Sequence, residues 1–107
     1  MLQNKDTSPI AVLALISSNF RKLYGTKIAI ECKRSKDEIS EIINSNNNYY
    51  LDQTIQAAKR FSLDTLKEAV RTCAEYEYKI KSSYTDEKDA LISAVTLIIA
   101  GDRIEQN

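Results

Sequence analysis

The 107-residue sequence contains no histidine and no tryptophan, only two glycines, one proline and two cysteines. Without histidine the commonest zinc ligand and the commonest general base are missing, and with them the serine and cysteine triads that depend on imidazole. Two glycines leave no Gly-rich loop to cradle a phosphate of the P-loop or dinucleotide type. So few turn-formers also disfavour sandwiches and barrels, which reverse direction about every 8–12 residues. Cys32 and Cys73 fit no metal-ligand spacing and read as two free thiols packed as small apolar groups, which suits a reducing, cytoplasmic setting. Neither a metal, a cofactor nor a catalytic residue is expected, and the chain does not read as an enzyme.

Charge of one sign is also lacking. Fifteen Lys and Arg balance fifteen Asp and Glu. Strong nucleic-acid binders carry a basic excess, because phosphate neutralisation supplies much of their affinity; no strong DNA binding is expected here. No apolar run approaches the roughly 20 residues that span a bilayer, and Met1–Asp6 lacks the charged-then-apolar order of a signal peptide, so no membrane role is expected.

What is present is helical patterning, and the expected fold is all-α: one domain over residues 1–107, a compact bundle of about five helices. Asp6-Thr7-Ser8-Pro9 opens the first, with a hydroxyl N-cap and proline at the first helical position. Its apolar stripe runs from Ile10 to about Cys32, and Gly25 within it predicts a kink or a close approach. A capping box, Ser35-Lys36-Asp37-Glu38, starts the second helix, whose buried edge is Ile39, Ile42 and Ile43. The Asn44–Asn48 run, with its asparagines tolerant of left-handed backbone, ends that helix and leads to a third over roughly Tyr50–Arg60. Ser62 begins the fourth, which continues to about Lys81. Thr85-Asp86 caps the fifth, which Gly101 is expected to stop, leaving Ile104 in a frayed tail.

Four features bear on function. Asp37-Glu38 and Asp86-Glu87 sit in first helical turns, where carboxylates complement the macrodipole rather than form a catalytic pair. Ser35–Arg60 imitates a helix-turn-helix, which makes a DNA-binding regulator the alternative; its second helix, however, offers Asp52, Gln53, Thr54 and Gln56 before any cation. Glu77 falls inside the apolar stripe of the fourth helix and Arg21 at the inner edge of the first. Such charges are costly unless paired, so a structural ion pair of Arg21 with Glu77 is expected, with Lys81 as the local partner. The last helix is apolar nearly all round, and Leu97, Ile98 and Ile99, with Tyr78 projecting from the fourth helix, are candidate interface residues.

The ordered series Asp6–Ile10, Leu15-Ile16, Asn19–Tyr24, Ala57–Leu63 and Ala74–Lys81 resembles the C-terminal collar domain of the delta subunit of bacterial DNA polymerase III. The likeness covers Ser8 to Ala100. It departs at Ser83, where the family often has glycine, at Glu77, where it favours Asp, and in the asparagine run. The resemblance implies a fragment: the C-terminal oligomerisation domain of a larger subunit whose N-terminal, clamp-opening regions are absent. Its partners would be the other clamp-loader subunits, the ATPase subunits and delta-prime, packed beside it in the collar that holds the loader together for sliding-clamp loading in DNA replication.

Overall fold

The computed structural model describes residues 8–45, 47–82 and 85–106, with side chains to residue 101. Asp6, Thr7, Asn46, Ser83 and the side chain of Ile104 lie outside the described residues. The chain forms five helices and, among the described residues, no strand: α1 (Pro9–Glu31), α2 (Lys36–Ile43), α3 (Asn48–Arg60), α4 (Leu63–Lys81) and α5 (Glu87–Gln106).

Each helix starts where a short polar side chain meets the free N–H groups of its first turn. Ser8, Asn47 and Ser62 accept from Ala11, Tyr50 and Thr65 respectively, and Asp86 accepts from Lys88 and Asp89. At Ser35 the capping box is reciprocal: its hydroxyl accepts from the Glu38 N–H while its own N–H donates to the Glu38 carboxylate at 3.0 Å. The asparagine run works at both ends. Asn44 takes the left-handed conformation (φ 57°) that closes α2, and Asn47 caps α3. α3 therefore begins two residues earlier than the periodicity predicts.

Two expectations are corrected. Gly101 does not stop α5, which continues to Gln106. Glycine ends a helix by turning left-handed; inside an exposed helix it costs only about 1 kcal/mol relative to alanine, and the flanking residues carry the helix through. Cys32 is exposed at the C-terminal end of α1, not packed; Cys73 is buried, and both thiols are free. α1 ends instead with Lys33 in the left-handed region (φ 60°), as the N–H of Arg34 reaches back to the carbonyl of Ala29.

α1 is the spine. On one side it meets α4 and α5 in a cluster built on Leu13, Cys73 and Ala94, joined by Ile16, Phe20, Tyr76, Ile80, Leu91 and Ile98. On another it carries the α2–α3 hairpin through a separate cluster of Ala29, Ile39, Ile43 and Leu51, with Ile30 and Ile55 against it. Gly25 lies at this second contact, where a Cβ would meet Cγ2 of Ile42 at 3.1 Å.

Candidate subunit interface

α5 is built from residues that want cover on most sides, yet among the described residues only α1 and α4 lie against it. Ala90 and Ala94 are fully buried in that contact, the small side chains allowing close helix approach. Leu91 and Ile98 fill the core cluster beside them. Three large apolar side chains of the helix stay uncovered: Ile92 is 55%, Leu97 52% and Ile99 54% exposed. Ile92 and Ile99, seven residues apart, fall on one face.

Two grooves flank α5. Ile16 and Phe20 of α1 face Val95, Ile98 and Ile99 across one of about 270 Å³, with no polar side chain in its lining. Along the other, of about 110 Å³, Thr65, Glu68, Ala69 and Thr72 of α4 face Leu97, Ile98 and Gly101. Ile98 is the shared ridge: half-buried, it packs against the core cluster and lines both grooves. Leu97 and Ile99 project to opposite sides of that ridge. Tyr78 is 66% exposed on α4 and lines neither groove. The apolar surface is thus two flanks rather than one patch. Ile92 was not among the candidates, although its spacing from Ile99 marks the same face.

The charges expected in the core are at its margin. Arg21 is exposed, and its guanidinium donates to the buried Ser17 hydroxyl, one turn back, at 2.6 Å. Glu77 is half-buried, Lys81 exposed. Among the described residues no ion pair within 4 Å joins Glu77 to Arg21 or Lys81. Long side chains at the edge of a stripe extend their charged ends to water instead of meeting across the core. Both charges still reach Cys73. Burial raises that thiol's pKa above its ordinary 9.0, Glu77 raises it further, and Arg21 opposes them.

The ion pairs of α4 lie on its outer face. Arg71 holds Glu68 at 2.6 Å, and Lys79 reaches Glu75 at 3.5 Å while its ammonium stands 4.6 Å from the centre of the Tyr76 ring. The Arg71 hydrogen bond lowers the Glu68 pKa, and in return the Arg71 pKa is raised. Glu38 is likewise held below its ordinary range, first by the Ser35 backbone N–H of the capping box. Asp37, Glu38 and Glu87 occupy first helical turns as expected, and Asp86 caps α5. Among the described residues no group of three or more His, Cys, Asp or Glu side chains is placed to hold a metal ion. No helix among them is long and apolar enough to cross a membrane.

The α2–turn–α3 unit is present, but its exposed face is mixed. Asp52, near the start of α3, is engaged by Lys36 of α2 at 2.8 Å, and Lys59 and Arg60 stand at the far end.

Fold and surface together define the class: an all-helical domain that carries an apolar helix covered on one side only. Comparison with known families is specific. Residues 1–97 match the family described as DNA polymerase III delta subunit, C-terminal domain, and the chain belongs to that family. No curated protein and no solved structure matches it. The family is a clamp-loader component of the DNA replication machinery.

Proposed function

We propose that this chain is the subunit-assembly domain of the clamp loader, packing through α5 in a collar with the ATPase and delta-prime subunits. The observation that carries the reading is the half-exposed apolar surface of α5, with Ile92 and Ile99 on one flank beside a groove lined only by apolar side chains and Leu97 on the other. Burying such surface stabilises an interface by about 25 cal/mol per Å², while polar pairs at the rim choose the partner. The chain then acts as the C-terminal part of a larger, cytoplasmic delta subunit, without catalysis or cofactor of its own and with DNA affinity too weak to persist at physiological salt.

The test is co-purification of the full-length delta subunit with the ATPase and delta-prime subunits. Leu97→Lys combined with Ile99→Lys should abolish recovery of the partners while leaving the helical circular dichroism unchanged, since both residues point outward. Unaltered recovery of both partners would remove α5 from the interface. The helix-turn-helix alternative makes the opposite forecast: tight, sequence-dependent duplex binding lost on Lys59→Ala and Arg60→Ala.

A further inference from the structure

We propose that the α2–α3 hairpin is a separately opening unit, which detaches from α1 while α1, α4 and α5 remain folded. Among the described residues no Cα of α2 or α3 comes within 8 Å of one in α4 or α5. The two core clusters share no residue: Ile39, Ile43 and Leu51 pack with Ala29, whereas Leu13, Cys73 and Ala94 form the other. The hairpin therefore packs, helix against helix, on α1 alone among the described residues. Removing the hairpin uncovers one side of α1 and leaves the α4 side intact.

The seam between hairpin and spine is apolar and imperfectly matched. It contains Thr26, fully buried, whose hydroxyl has no hydrogen-bond partner. Beside it Gly25 approaches Ile42 tightly, at a residue that is itself 45% exposed. No ion pair among the described residues ties α2 or α3 to α1. The one between helices here, Lys36 with Asp52, joins α2 to α3 and travels with the hairpin. Both connections suit a hinge. Lys33 already holds a left-handed φ at one end, and Phe61 and Ser62 are extended at the other (ψ 149° and 160°), so that rotation there breaks no helix. A unit that packs on a single helix and lacks polar ties to it opens below the free energy of global unfolding. The device is a hinged hairpin whose release bares Ala29 and Ile30 on the spine.

Native-state hydrogen exchange of the whole chain, read by mass spectrometry at rising sub-denaturing guanidinium, tests it. Amides of α2 and α3 should exchange at least about tenfold faster than those of α4, with a smaller denaturant slope, because less surface is exposed in the opening. Leu66→Ala on α4 should accelerate exchange in α1, α4 and α5 and leave α2 and α3 unchanged, because its contacts persist when the hairpin opens; Ile43→Ala should accelerate exchange throughout, because its contacts are lost in both openings. Should Leu66→Ala fail to fold, Leu66→Val serves at smaller amplitude. Equal protection and equal slopes across all five helices would overturn the proposal, as would acceleration of α2 and α3 by the Leu66 variants to the same degree as α4.

Discussion

The Cβ that Gly25 lacks would stand 3.1 Å from Cγ2 of Ile42, so α1 and α2 meet where one of them has no side chain. The helix itself would gain up to about 1 kcal/mol from alanine at this position, and the contact opposes the gain. Ile42 is partly exposed on an eight-residue helix that yields a few tenths of an ångström cheaply. Propensity should win for the smallest side chain: Gly25→Ala is predicted to be stabilising by about 0.5 kcal/mol. Gly25→Leu overfills the seam and should cost about 1–3 kcal/mol. Chemical denaturation of the two variants decides it, and a Gly25→Ala loss above about 1 kcal/mol would show that α2 cannot shift.

Thr26 carries the opposite defect, a buried polar group with nothing to bond. Most helical threonines return the hydroxyl to a carbonyl of the preceding turn, as Thr54 does to Tyr50 at 2.8 Å. Thr26→Val keeps the shape and removes the unpaired oxygen, so it should raise stability by about 1 kcal/mol. A shift of the denaturation midpoint to lower guanidinium would refute this.

Cys73 makes stability fall at alkaline pH. Its folded pKa is raised, chiefly by burial, above the ordinary 9.0. The stabilising contribution is therefore complete below 9.0 and is lost as pH rises through the folded value, because the unfolded chain ionises first. Thermal melts between about pH 8 and 10 should show a steeper decline for the wild type than for Cys73→Ala. A parallel decline in both proteins would rule out the Cys73 thiol as its source.

Arg21 and Glu77 are predicted to couple weakly. With Arg21 exposed on Ser17 and Glu77 half-buried, solvent screens whatever attraction remains. A double-mutant cycle with Arg21→Ala and Glu77→Ala should give a coupling below about 1 kcal/mol. A value of 3 or more would require the pair to close across the core in solution, at roughly the cost of stranding a buried charge.

The fold was legible where local chemistry decides it. Ser35 with Glu38, Ser62 and the asparagine run each act on backbone groups within four residues, so their geometry follows from the order of the residues alone. Gly101 misled for the same reason: its conformation depends on whether the residues beyond it go on as helix, which glycine itself does not dictate. The ion pair was a wheel argument. About 100° per residue places Arg21 and Glu77 near their stripes, but long side chains choose between core and water after the helices have packed. Equally, Ile98 and Ile99 read as equivalent in the sequence. Only the positions of α1 and α4 make one of them a core ridge and the other a surface flank.

The partnership of α1 with α4 also sets an order of events in the growing chain. Leu13, Ile16 and Phe20 are made early, but the residues that cover them, Cys73, Tyr76 and Ile80, follow only after the α2–α3 hairpin has been completed. Distant contacts of this kind close slowly compared with the local pairing of α2 with α3 or of α4 with α5. On the ribosome, the apolar side of α1 thus waits in water until α4 emerges. During that interval the nascent chain, rather than the finished domain, is the species most exposed to chaperones and to aggregation.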